Sequence, residues 1–165
     1  MKKFIIGLFI MGLTIPMHAQ DPIQLPTVVL VHNYKYLDAS GSKDLAIDVE
    51  QLELKVSDFN VKELDVYSED NEYYDVFFII PKGKILATYD DESNLLRTAE
   101  RFKDIDLPMH VKQSVARRFP QWNISKNVYL VNYYEPDNIK KMYKITLQNG
   151  DKRIRVKVDD HGDFM

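Results

Sequence analysis

Residues 142–165 read M-Y-K-I-T-L-Q-N-G-D-K-R-I-R-V-K-V-D-D-H-G-D-F-M. Apolar and polar positions alternate on both sides of Asn149-Gly150, a pair suited to a tight hairpin turn because both residues tolerate positive φ. The stretch predicts two antiparallel strands, Lys141–Gln148 and Lys152–Val158. Its last residues, V-D-D-H-G-D-F-M (158–165), gather three carboxylates and a histidine, so they read either as a metal site or as a turn.

An internal echo decides between the two. Residues 73–96, moved forward by 69 positions, lie on 142–165 without a gap. Tyr74 then meets Tyr143, Ile85 meets Ile154, Asp90 meets Asp159 and Asp91 meets Asp160. The alternation matches across both strands, and a similar helix pattern lies upstream each time, which points to a repeat. D-D-E-S-N-L-L (90–96) stands in the place of D-D-H-G-D-F-M without a histidine or a glycine. A turn accounts for both copies, a metal site for one. The spacing also lacks the alternate oxygen ligands of a calcium loop. The expectation is a turn.

Working outward, T-V-V-L-V-H-N-Y-K-Y-L (27–37) is β-branched and aromatic, as a strand would be. Turn residues at 39–44 precede Leu45, Val49, Leu52, Val56 and Phe59, the apolar stripe of a helix. Runs at Val61–Ser68, Glu72–Ile80 and Lys84–Tyr89 predict strands, with Pro81-Lys82-Gly83 turning between the last two. Leu95–Ile105 reads as a connection. Leu107, Val111, Val115 and Phe119 then mark a second helix, with Pro108 in its first turn, and Ile124–Tyr134 a further strand. The expected fold is α+β: two tandem helix-plus-antiparallel-sheet repeats, residues 20–105 and 106–165, with the helices on one face of a continuous sheet.

Residues 1–19 have the parts of a cleavable secretory signal: Lys2 and Lys3, the apolar run Phe4–Ile15, then Met17-His18-Ala19. The run is well short of the ~20 residues that span a bilayer, so no membrane insertion is expected after cleavage, and the protein is expected in the periplasm or otherwise exported. The chain has no cysteine, which removes thiol chemistry and disulfides. Without Lys2 and Lys3 there remain 20 basic and 25 acidic residues, a net charge of −5, unlike the basic domains that bind nucleic acid. The glycines beyond the signal, Gly41, Gly83, Gly150 and Gly162, are too far apart for a phosphate-cradling loop. His32, His110 and His161 show no metal-ligand spacing, and no serine lies in a G-x-S-x-G context. These absences predict a non-catalytic protein with no cofactor and no metal.

V-K-Q-S-V-A-R-R-F-P (111–120), M-Y-K-I-T-L-Q-N-G-D-K (142–152) and V-K-V-D-D-H-G-D-F (156–164) together resemble the PepSY-like proteins, and most of all their tandem, β-lactamase-inhibitor-protein-like branch. The resemblance covers nearly the whole chain after residue 19, closely in the second half. In the first half Ser93 replaces the glycine, and Asn60 rather than proline follows Phe59. The resemblance implies non-catalytic envelope proteins that bind or restrain other proteins.

Alternation also assigns faces. Tyr143, Ile145, Leu147, Ile154, Val156 and Val158 share one side of the sheet, as do Tyr74, Val76, Phe78, Ile85, Ala87 and Tyr89. The other side carries Lys144, Thr146, Arg153, Arg155 and Lys157 in the second half, and Tyr73, Asp75, Phe77, Ile79, Lys84, Leu86 and Thr88 in the first. Aromatic and Arg side chains are common interface anchors. The expected partner-binding set is Tyr73, Phe77, Ile79, Leu86, Lys144, Arg153, Arg155 and Lys157, facing a protein of the cell envelope. Two alternatives stay open: cover by the N-terminal segment or the Leu95–Ile105 connection, and a cationic row that only keeps a strand from pairing with a neighbour. A second functional reading is a small-ligand carrier with a pocket between helices and sheet near Tyr74, Tyr89 and Tyr143.

Overall fold

Tight turns set the register of the sheet. The computed structural model describes residues 33–41, 46–136 and 138–165. Residues 1–32, which include the expected signal, His32 and most of the strand expected at 27–37, lie outside them. Among the described residues three α-helices, α1 (Tyr34–Ser40), α2 (Ile47–Ser57) and α3 (Met109–Arg118), accompany one six-stranded antiparallel sheet. The strands are β1 (Tyr73–Ile80), β2 (Gly83–Asp90), β3 (Leu95–Lys103), β4 (Asn123–Tyr134), β5 (Asn138–Asn149) and β6 (Lys152–Asp159), adjacent in chain order. Pairing of Ile80 with Gly83 and of Asn149 with Lys152 leaves two-residue loops, Pro81-Lys82 and Gly150-Asp151. Gly150, at φ 56°, supplies the left-handed backbone the second loop needs.

Burial follows the expected phase. Tyr74, Ile85, Ala87, Tyr89, Tyr143, Ile145, Leu147 and Val158 are buried, and Val76, Phe78, Ile154 and Val156 pack against them. Helical side chains reach this set. Phe59, just beyond α2, meets Phe78 edge-on at 5.2 Å and Tyr89 at 5.5 Å between ring centroids. The Tyr89 hydroxyl donates to the Val56 carbonyl of α2 at 2.6 Å, and Tyr36 of α1 packs edge-on against Tyr133 of β4 at 5.3 Å.

Three expectations change. Tyr34–Leu37, expected as strand, belong to α1, because burying Tyr36 against Tyr133 and Glu100 outweighs β-propensity. Val61–Ser68 is not a strand: Val61–Glu63 form a 3-10 turn capped by the Asn60 side chain accepting from Lys62 N–H, and turns follow to residue 72. The supposed connection at 95–105 is β3 for most of its length, at the centre of the sheet.

Candidate functional site

The C-terminal residues form a turn. Asp159 Oδ1 accepts from the N–H of His161 and of Asp163, and Asp159 N–H donates to the Asp163 carbonyl. Asp90 does the same for Glu92 and Asn94. Ser93 (φ 70°) and Gly162 (φ 91°) hold the left-handed position in each turn. Local backbone donors thus use the carboxylates as turn formers. Among the described residues no group of three or more His, Asp or Glu is arranged to hold a metal ion. His110 Nε2 donates to the Asp160 carbonyl at 2.8 Å, and Ser114 Oγ donates to Gly162 O at 2.6 Å, so α3 docks on this turn.

The other set of strand residues makes a surface. On β1, Tyr73, Phe77 and Ile79 are 63%, 59% and 71% exposed. Phe77 stands opposite Leu86, half-buried on β2, which in turn stands opposite Ala99 on β3. Ile79, Lys84, Arg101, Leu130 and Met142 form the next row across five strands. Beyond it the rows turn cationic: Lys103, Val128, Lys144 and Lys157, then Lys126, Thr146 and Arg155, then Gln148 and Arg153. Lys144, Arg153, Arg155 and Lys157 are all exposed. Thr88 departs from the expected exposure: it is buried, donating to Asp75 Oδ1 and accepting from Arg97 Nε at 2.9 Å. The eight expected partner-binding residues therefore lie on one sheet face but in two groups, apolar on β1–β2 and cationic on β5–β6.

Interstrand spacing of ~4.8 Å separates these outer strands by roughly 24 Å. An eight-residue strand is ~27 Å long, so the face measures several hundred Å^2. That approaches the ~800 Å^2 per partner of a standard protein interface.

Two further features escaped the sequence reading. Glu53 of α2 and Glu100 of β3 are buried together in the core. The Tyr36 and Thr98 hydroxyls donate to Glu100 Oε1 at 2.7 and 2.6 Å, and the Glu53 carboxyl is buried beside them. Burial pushes the Glu100 carboxyl up from its usual range, against the hydrogen bonds from Thr98, Tyr36 and Glu53 and the charge of Lys141. Burial likewise pushes the Tyr36 hydroxyl well up, with the charges of Glu100 and Glu53 adding to it. A signal did exist: Glu53 lies four residues after Val49 and one after Leu52, an acid on the apolar stripe of α2.

Of the three tyrosines named for a carrier pocket, each is engaged in packing. Tyr74 donates to the Ser68 carbonyl at 2.6 Å, Tyr89 is bonded to α2, and Tyr143 stacks on Tyr129 at 4.7 Å. A cleft of about 310 Å^3 opens instead between α2 and the β1–β2 turn, lined by Asp48, Gln51, Leu52, Lys55 and Ile80–Lys82. A larger one, about 590 Å^3, lies on the exposed sheet face over β4, β5 and β6. Among the described residues no helix is long and apolar enough to cross a membrane. Comparison with protein-family models, with curated proteins and with solved structures gives no match.

Proposed function

We propose that this protein is a non-catalytic, exported binding module whose helices cover one face of the sheet and whose other face docks a protein partner in the cell envelope. The observation that carries the reading is the exposure of Tyr73, Phe77 and Ile79 on the same face as an extended cationic field. Apolar side chains on a strand are ordinarily covered, and a contiguous exposed group of them commonly marks an interaction site. At ~25 cal/mol per Å^2, covering two or three aromatic side chains is enough to drive association. Packing of Tyr36 and Phe59 onto the buried set supports helices on one side; of the two alternative covers for Phe77, the Leu95–Ile105 segment is mostly β3 within the sheet, and the N-terminal segment lies outside the described residues.

The two units, 20–105 and 106–165, are read as duplicated modules. The identical bonding of the turns after β2 and β6 supports this, although the first unit has a 3-10 turn where the second has β4. Export rests on residues 1–19, and restraint of an envelope enzyme is the form the family resemblance adds. Small-ligand carriage finds less support, since Tyr74, Tyr89 and Tyr143 are taken up by packing.

The test is the double substitution Phe77→Asp with Leu86→Asp. Far-UV circular dichroism and cooperative unfolding should be retained, because Phe77 is mostly exposed, while a partner crosslinked to the unsubstituted chain in the native envelope should be lost. Loss of folding would place these residues in the core. Retention of the partner by a folded double variant would remove the face from its binding site.

A further inference from the structure

The cleft over β4, β5 and β6 is chemically unlike the apolar corner on β1 and β2. Its lining is Ser125, Lys126, Thr146, Gln148, Arg153 and Arg155, around about 590 Å^3. A register shift between Ile124 and Lys126 sets Ser125 and Lys126 against the single residue Thr146, a bulge that raises local twist and re-aims the side chains beside it. The Ser125 hydroxyl donates to the Thr146 carbonyl at 3.1 Å, which fixes the bulge and leaves that oxygen only as an acceptor. The remaining lining is rich in donors. Arg155 stands opposite Thr146, and Arg153 stands opposite Gln148. The Gln148 amide uses one N–H on the Gly150 carbonyl at 3.0 Å and keeps another. Among the described residues none of Lys126, Arg153 and Arg155 forms an ion pair.

We infer that this cleft is the anchor point for an acidic polypeptide segment, a short run of Asp and Glu side chains presented by the docked partner. The inference rests on the docking reading above and names the chemistry of half its footprint. Two guanidinium forks side by side match carboxylate oxygens in bidentate fashion, a geometry a single lysine cannot offer. The volume falls within the ~300–1,000 Å^3 of ligand clefts, room for several side chains rather than one small ion. Continuity with Phe77 and Ile79 on the same face favours a protein as the bearer of the carboxylates, since interfaces join apolar anchors to charged contacts.

The experiment uses the full chain after signal removal and a fluorescein-labelled hexaglutamate peptide, read by anisotropy at low salt. Saturable binding is expected, weakening as sodium chloride shortens the Debye length below ~10 Å. Replacing Arg153 and Arg155 by Ser should weaken it ~10-fold or more, through loss of charge-assisted bonds. Replacing Lys84 and Arg101 by Ser removes the same charge from β2 and β3 and should change it less than about twofold. Amide shifts in an NMR titration should centre on Thr146 and Gln148. Equal weakening by both double variants would reduce the effect to diffuse electrostatics and overturn the proposal. Tighter binding of inorganic phosphate or of phosphatidylglycerol vesicles than of the peptide would overturn it in favour of another anion. Self-association of the unsubstituted chain, abolished by the Arg153/Arg155 variant, would assign the cleft to a second copy instead. The Phe77→Asp/Leu86→Asp variant should bind the peptide normally, so failure of the cleft and failure of the wider docking face give different patterns.

Discussion

At the scale of single residues the core is held by an acid. Glu100 points inward from the middle of the sheet, where an ionised carboxylate without compensation would be costly. The Tyr36 and Thr98 hydroxyls, together with the raised hold of Glu100 on its own proton, make it tolerable. Its stability effect has a definite sign. Below the ordinary glutamate range, ~4.3, folded and unfolded chains are both protonated and the contribution is complete. As pH rises toward and through the raised folded value, the unfolded chain releases its proton first, and stability falls. The urea midpoint is therefore expected to decrease from pH 5 to pH 8, and Glu100→Gln should flatten that slope; a slope unchanged by the substitution would contradict a raised Glu100 carboxyl. Tyr36→Phe removes one donor from a buried oxygen and should cost ~1–3 kcal/mol by denaturant unfolding. Gly162 makes a separate case. At φ 91° its Cβ would meet Ser114 Cβ at an ordinary 3.5 Å, so only backbone strain opposes a side chain. Gly162→Ala should destabilise by ~1–2 kcal/mol.

At the scale of elements, residue patterns explain what could be read from the sequence. β5 and β6 were readable because Tyr143, Ile145, Leu147, Ile154, Val156 and Val158 keep an unbroken period of two around a turn pair. β3 was not, because Thr98 and Glu100 occupy two of its inward positions ahead of Phe102, and the bulge opposite Thr88 and Tyr89 puts buried Leu95 out of phase with them. The network that makes Glu100 acceptable is long-range, 64 residues away at Tyr36, and local pattern cannot register it. Val61–Ser68 failed the other way: its apolar residues fit a strand, but the Asn60 side chain caps a 3-10 turn there, and Val61 N–H is taken by Ser93 Oγ at 3.1 Å. The candidate surface residues followed from the same alternation, whereas the cleft depends on a bulge at Ser125 that composition does not reveal. The β2–β3 pairing also yields a prediction. A Cβ on Gly83 would lie 2.2 Å from Phe102 Cδ1, so the ring packs where a side chain would be. Gly83→Ala should cost ~1–3 kcal/mol in thermal or urea unfolding, the range for overpacking.

At the scale of the whole molecule, charge is sorted by position. A chain of net charge −3 places Lys84, Arg101, Lys103, Lys144, Arg153, Arg155 and Lys157 on one sheet face beside exposed Phe77 and Ile79. Such sorting accelerates encounter with an acidic partner and weakens with salt, while the apolar corner would hold the complex once formed. Both halves of the face must then touch the same molecule. Site-specific photocrosslinking tests this most directly, with a photoreactive amino acid placed in turn at Phe77, at Arg155 and at the partly exposed helical position Lys112, in cells that make the protein. One common adduct from Phe77 and Arg155, and none from Lys112, is the expected result. Different adducts from the two strand positions, or the same adduct from Lys112, would contradict a single docking face.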